Sequence, residues 1–500
     1  MIQLSLAEIA TIVGGTVHVP EDLLAGASAE AVASSAVVTG SVEFDTRKVG
    51  PGSLFVALPG VRVDGHAFAA AAVEAGAVGV LAAREVDAPA VLVPPVDDAH
   101  TRSVALTGDT DGSGAAVLAA LAKLARHVTD VLSAKGLAVV GVTGSSGKTS
   151  TKDLIAQLLE HLGTTVAPPG SFNNELGHPW TVLRAAEDTR HLVLELSARG
   201  PGHIAALCRT APPRIGVVLN VGTAHLSEFG SQAAVAKTKG ELVEELPADG
   251  VAILNLDDPL VTAMAERTGA RVVFVGQNPA ADVRAEDVEL DDQARARFTL
   301  VTAEGSAPVE LDLHGAHHVG NALAAAAVAL ELGATTAQVA DWLSTAQRRS
   351  DRRMEVTTRP DGVTVLNDSF NANPESMSAA LKTLATMARA GNPRRRAWAV
   401  LGVMGELGDN TVSAHDEIGR LAVRLDISRL VVVGEQARPM HQGANLEGSW
   451  GEESVLVPDV EAAIALLREE LRGDDVVLVK ASKAAALWRV ADALLEAGTK

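Results

Sequence analysis

Residues 139–152 read VVGVTGSSGKTSTK. An apolar run stops at a loop of small residues, and helical periodicity then begins at KDLIAQLLEHL, so the stretch reads as strand, tight loop, helix. Gly144 and Gly147 let the backbone approach a ligand with no side chain in the way. The first amides of the helix point at that ligand, and the helix dipole favours an anion there. Lys148 adds a mobile positive charge, and Thr149 offers a hydroxyl to a magnesium ion. Thr143, Gly144, Ser145, Ser146, Gly147, Lys148, Thr149 and Ser150 together form a phosphate cradle. The pattern is the short Gly144-x-x-Gly147-Lys148-Thr149; Val142 stands where the longer G-x4-G-K-[ST] form has its first glycine.

Around this loop the chain is long enough, at 500 residues, for several domains with their own cores. Its net charge of −20 argues against wrapping nucleic acid or lying on an anionic membrane, while leaving room for a local basic pocket. Cys208, the one cysteine, has no internal disulfide partner and reads as a packed thiol, which fits a reducing compartment. The opening MIQLSLAEIATIVGG reads as a strand and a short helix, with no basic leader ahead of an apolar run. No apolar segment is long enough to span a bilayer. A cytoplasmic protein without membrane insertion is expected.

Three units follow one another. Residues 1–108 form a small α/β domain with strands at 54–58, 78–81 and 91–93 and a helix at 66–75. Two of its loops, Phe44-Asp45-Thr46-Arg47 and Arg62-Val63-Asp64-Gly65-His66, read most simply as solvated turns. Residues 109–346 alternate strand and helix around the phosphate loop, which implies a largely parallel, doubly wound sheet. Ligands gather at the carboxyl ends of such strands. There stand Glu195 after HLVL, the turn 220–225 with His225 after IGVVL, and Thr149. Glu195 suits magnesium; His225 is either a softer ligand or a hydrogen-bonded histidine near the phosphates. Asn173, Asn174 and Glu175 read as a polar binding edge or an Asx-rich turn. Asn321, opening an alanine-rich helix, reads as a cap or as a reader of a base edge. His317 and His318 lack further ligands at zinc spacing. The charged stretch QRRSDRR at 347–353 marks a boundary. Residues 347–500 then repeat a doubly wound, Rossmann-like pattern with no phosphate loop of their own, a unit suited to closing over the nucleotide.

Taken in order, 143–149, Glu195, the turn 220–225, Lys239, Asn321, Arg353, Asp368 and Lys480 resemble the Mur ligases, the ATP-dependent amide-forming ligases of peptidoglycan assembly, over essentially the whole chain. The opening VEFDTRKVGPGSLFVALPGVRVDGHAF is similar to the family's uridine-nucleotide-binding domain. SFNNELGHP, LELSARGPGHI, NVGTAHLSEFGS with AKTKGEL, and NDSFNANPESM resemble the segments of the member that adds D-alanyl-D-alanine to a UDP-linked muramoyl tripeptide.

The resemblance implies ATP and two magnesium ions. Lys148 and the loop amides would hold the β- and γ-phosphates, Thr149 and Glu195 one metal, and Glu195 and His225 a second. Lys239 matches the family lysine that becomes N-carbamylated and so turns into a carboxylate-like metal ligand; read alone it is an exposed helical lysine. Asn321 would lie at the adenine, Arg353 near the transferred phosphate and Asp368 near the ribose. Lys148, Lys239, His225 and Arg353 would carry the catalysis. Asp45, Thr46 and Arg47 would meet the uridine nucleotide, and Asn173, Asn174, Ser197, Arg199, Asn371, Lys480 and Ser482 the substrates. The partners implied are UDP-N-acetylmuramoyl tripeptide and D-alanyl-D-alanine, with no nucleic acid, acting on a monomer. Phe370 stands where tyrosine is common and so receives no polar role; Thr46, Val403, Ala481 and Lys483 depart from the usual residues too. Within the family the rival is the ligase adding the third-position diamino acid, and the folylpolyglutamate-type ligases share only the central fold. Outside it, the rival is a nucleotide-binding ATPase that ligates nothing.

Overall fold

The computed structural model describes residues 1–24, 26–61, 63–96, 106, 109–223, 229–391, 393–448 and 453–497. The run ahead of the phosphate loop becomes the strand Ala138–Thr143, buried from Val139 onward, inside a nine-stranded sheet. It pairs in parallel with His191–Glu195 on one side and Ile215–Val218 on the other. Thr165–Val166 closes the near edge, and Val251–Asn255, Arg271–Gly276 and Val283–Leu290 continue the parallel order on the far side. The four inner strands, Ala138–Thr143, His191–Glu195, Ile215–Val218 and Val251–Asn255, are apolar runs with nearly every side chain buried, as parallel strands covered by helices on both faces are.

The sheet is largely parallel, as the alternation of strand and helix implies, with one addition at its far edge. Arg295–Thr302 and Gly305–His314 extend it as an antiparallel meander. One face of these strands is solvated, so charges such as Arg284, Glu286, Arg297 and Glu310 interrupt the apolar residues and no continuous run announces them.

The first unit is a five-stranded sheet in the order Thr16–His18, Ala90–Leu92, Ala77–Ala82, Ser53–Val56, Val42–Glu43. Its helix Leu6–Val13 starts at a capping box between Ser5 and Glu8. The long helix Ser113–Ser133 packs Val117, Leu121 and Leu124 into one core with Leu6, Ile9, Val13 and Leu54, so the first two units share apolar packing. The third unit orders its strands Glu355–Thr358, Thr364–Asn367, Val476–Lys480, Ala397–Leu401, Arg429–Val433, Ser454–Val457. All but the first run parallel, which is the doubly wound pattern the sequence implies. Strand ends of the central and third sheets line one cleft of about 660 Å³. No helix among the described residues is long and apolar enough to cross a membrane.

Candidate active site

The phosphate loop is shaped by two features. Gly147 has φ +80°, and a Cβ there would lie 2.7 Å from the Asn321 side-chain oxygen, so only glycine fits. Asn220, just beyond the strand Ile215–Val218, holds the loop from the side: its Oδ1 accepts from the Ser145 and Ser146 amides at 3.0 and 2.9 Å, and its Nδ2 donates to the Ser146 carbonyl at 3.2 Å. Those two amides are therefore engaged within the protein. The amides at the start of the helix Lys148–Glu160, which have no partner inside the helix, remain to meet an anion. Asn220 has a legible signal, a polar residue directly after a buried parallel strand.

Lys148 donates from Nζ to the Gly144 carbonyl at 2.7 Å. Burial lowers its pKa; Glu195 opposes that and Arg353 adds to it. Glu195, 2% exposed, has both oxygens engaged: Oε2 accepts from the Thr149 hydroxyl at 2.9 Å and Oε1 from Asn173 Nδ2 at 2.7 Å. Ser197 donates to both the carbonyl and the side-chain oxygen of Asn173, each at 3.0 Å. Asn174 instead accepts the Gly177 amide at 2.9 Å. Asn174 thus closes an Asx turn and Asn173 braces Glu195, and both line the cleft.

Lys239 closes the helix Gln232–Lys239 and is 6% exposed, not the exposed lysine its helical position suggests. Burial, reinforced by the charge of Lys148, pushes its pKa well below the ordinary value, and it has no hydrogen-bond partner among the described residues. His225 lies outside the described residues. Asn321 sits in the second turn of the helix His317–Glu331 and therefore caps nothing; it is 6% exposed and approaches His318 Nδ1 at 3.4 Å beside Gly147.

The third unit supplies the opposite wall. Arg353 donates from Nη2 to the Thr149 hydroxyl at 3.2 Å, while its buried Nε has no partner among the described residues. Its guanidinium lies 4.0 Å over the Phe370 ring. Losing the common tyrosine hydroxyl therefore leaves the ring with work of a different kind. Lys480 donates to Asp368 Oδ2 at 2.6 Å and to the Asn371 carbonyl at 2.9 Å. The other Asp368 oxygen accepts the Met354 amide at 3.1 Å. Ser482 accepts the Gly405 amide at 2.7 Å, and Arg199 faces Glu406 across the cleft at 3.7 Å. Two further contacts bind the walls together: Asn373 Nδ2 to the Ser145 carbonyl at 3.3 Å, and the Thr223 amide to Glu375 at 2.6 Å.

Asp45, Thr46 and Arg47 stand apart, at the end of Val42–Glu43, and none of them lines this cleft. The Arg47 side chain, by hydrogen bonding, holds the Asp45 carboxyl down to about 2. Their strand is tied to the cleft nonetheless: Trp180 Nε1 donates to the Val42 carbonyl at 2.8 Å, and Phe44 and Phe172 pack on the Trp180 ring. The neighbouring loop is solvated at Val63, 60% exposed, but not at its end. His66 is 5% exposed, with one ring nitrogen on Asp64 and the other accepting the Ala83 amide at 3.1 Å.

A phosphate loop in a doubly wound sheet, faced by a second doubly wound unit that has none, defines the fold class as that of a two-walled nucleotide-binding protein with a small α/β domain in front. Three family models match in chain order: Mur ligase family, catalytic domain, at 39–126; Mur ligase middle domain at 142–329; and Mur ligase, glutamate ligase domain, at 352–483. The chain belongs to the Mur ligase family. It is 57% identical to the UDP-N-acetylmuramoyl-tripeptide--D-alanyl-D-alanine ligase of Mycobacterium tuberculosis, over 99% of this chain and 98% of that one. Among solved structures it is similar to MurF from Acinetobacter baumannii, with TM-score 0.81 and 26% identity over 99% of each chain. It is also similar to MurF ligase from Thermotoga maritima in complex with ADP, with TM-score 0.75 and 28% identity over 92% of this chain and 98% of that one.

Proposed function

We propose that this chain is an ATP-dependent ligase joining D-alanyl-D-alanine to a UDP-N-acetylmuramoyl tripeptide, yielding ADP, phosphate and the UDP-muramoyl pentapeptide of peptidoglycan synthesis. The observation that carries this reading is the 57% identity, spread over 99% of the chain, to a ligase of that name. The three-domain division at 1–108, 109–346 and 347–500 is proposed with it. Action as a monomer is proposed with it. Dependence on ATP and a UDP-linked precursor supports a cytoplasmic setting.

The terminal carboxylate of the tripeptide attacks the γ-phosphorus of ATP, the bond to the bridging oxygen breaks, and ADP leaves. The uncharged amine of the dipeptide then attacks the acyl carbon; phosphate departs with the bonding pair, and the amine sheds a proton. The first step brings an anion to a polyanion. Lys148 and the Lys148–Glu160 helix start face the phosphates from one wall and Arg353 from the other, and their charge stabilises what builds up in flight. Asn321 is assigned to the adenine and Asp368 to the ribose, and Asn173, Asn174, Ser197, Arg199, Asn371, Lys480 and Ser482 to the substrates; all of them line the cleft. Asp45, Thr46 and Arg47 are assigned to the uridine nucleotide.

The donor set fits magnesium. Thr149 and Glu195 offer hard oxygens 2.9 Å apart beneath the loop, and magnesium takes few protein ligands and keeps its waters. His225 and a carbamylated Lys239 would complete a second site. A buried lysine with a lowered pKa is the amine that carbon dioxide requires, since only the uncharged nitrogen attacks it. When bound, the metals would neutralise phosphate charge and polarise the transferred group.

The test is a reaction with ATP, magnesium, UDP-muramoyl tripeptide, D-alanyl-D-alanine and isotopically labelled bicarbonate, omitting each substrate in turn. Phosphate release and pentapeptide mass are expected only with all substrates present, along with a carbamate carbon resonance that Lys239→Arg abolishes. ATP turnover without the amine, or a preference for a diamino acid with a dipeptide-length acceptor, overturns the assignment.

A further inference from the structure

The boundary 347–353 is not a free linker. It lies along one face of the phosphate-loop helix Lys148–Glu160, antiparallel to it. Gln157 and Gln347 exchange two hydrogen bonds, each 2.9 Å, between side chain and backbone. Ser350 donates to Asp153 at 2.6 Å, and Arg353 to Thr149 at 3.2 Å. Thr149, Asp153 and Gln157 stand four residues apart, hence on one helix face, about 6 Å per step. Their partners Arg353, Ser350 and Gln347 stand three residues apart in a segment that bends and turns from Ser350 onward. Arg349 adds a two-bonded pair with Glu160, both contacts 2.5 Å.

The middle rung is anchored from below. Asp153 is 8% exposed and pairs with Lys152, 1% exposed, which also donates to the Pro168 carbonyl at 2.8 Å. The third unit takes the chain over immediately afterwards. Arg352 lies 4.3 Å over the Trp488 ring, Met354 is buried in the third unit's core, and both have left-handed φ, +57° and +48°. Asp351, whose side chain is 92% exposed, separates Ser350 from Arg352, and Arg353 beyond them touches both sides, Thr149 and the Phe370 ring.

We infer that Ser350 and Gln157, through Asp153 and Gln347, are positioning residues that set Arg353 against the transferred phosphate by fixing the register of the linker on the phosphate-loop helix. Arg353 stands between Arg352 and Met354, both held by the third unit, and its guanidinium reaches back to Thr149 from over the Phe370 ring, so the register of the linker decides where that charge sits. The inference rests on the reading of Arg353 as the group facing that phosphate.

The test is a double-mutant cycle on the ligation rate. S350A with Q157A removes two rungs and leaves the Lys152–Asp153 pair intact. Its kcat is expected to fall about tenfold, with KM for ATP changed less than about twofold, because a small misplacement of a charge at the reacting centre costs rate more than binding. In an R353A background the same pair of changes is expected to have almost no further effect, since residues acting through a third are not additive. A full tenfold loss in both backgrounds, or no loss in the parent while R353A itself is slow, overturns the inference. An R353A enzyme as fast as the parent removes the assignment of Arg353 instead, and the inference with it. Thermal unfolding of each variant separates loss of fold from loss of register.

Discussion

The central and third sheets bring parallel strand ends to the same cleft, yet they treat their lysines in opposite ways. Lys480, at the end of Val476–Lys480, is compensated by Asp368 at 2.6 Å, and that carboxylate is held in turn by the Met354 amide. On the central side Lys148 reaches only a carbonyl of its own loop, and Lys239 has no hydrogen-bond partner among the described residues. Burial lowers the pKa of all three; only for Lys480 does a bonded acid push back. The central wall therefore leaves Lys148 without a bonded acid, with the charge of Glu195 alone to oppose its burial, which suits a site that takes a polyanion. The third wall is a finished scaffold that lends one arginine.

This contrast can be broken by experiment. Lys148→Ala is expected to slow ligation by about 100- to 1,000-fold with little change in melting temperature, because it removes a charge used at the transition state. Near-normal turnover would erase the distinction between the walls. Lys480→Met should act the other way, destabilising the fold by about 3 kcal/mol in urea unfolding, because Asp368 is left buried without its partner. A stable Lys480→Met protein would mean that the third wall is not internally compensated.

A finer test lies under the central wall. His178 is 1% exposed, and burial holds its pKa down to about 4, against a weaker pull from the Leu207 backbone. The folded state thus binds fewer protons than the unfolded one between the ordinary 6.5 and 4. Its contribution is complete above that window and is lost as pH falls through it, by up to about 3 kcal/mol. Urea midpoints from pH 7 downward should fall less steeply in His178→Leu than in the parent; equal slopes would show that burial does not hold this imidazole neutral.

What could be read in advance was local. The loop glycines, the apolar runs and the residues directly after them needed only contiguous sequence, and these mark the sheets, Lys148, Thr149, Glu195 and Asp368. Distant pairings were not legible in the same way. Asn173 reaches Glu195 from a separate loop, and nothing in SFNNELG distinguishes the asparagine that does so from the one that closes a turn. Phe370 receives no polar role from its sequence, and its stacking under Arg353 is a contact that contiguous sequence does not show. The charged 347–353 stretch reads in sequence only as a boundary because its partners, Glu160, Gln157 and Asp153, lie almost 200 positions away in the chain.

The phosphate loop, the order of strands and helices and the chemical types at strand ends were determined by the sequence alone, since backbone geometry and burial period act over a few residues. Which lysines would be buried, which asparagine would hold Glu195 and where Arg353 would point were decided only by the tertiary structure. Those outcomes depend on charge and packing between segments that meet only after the sheets have formed.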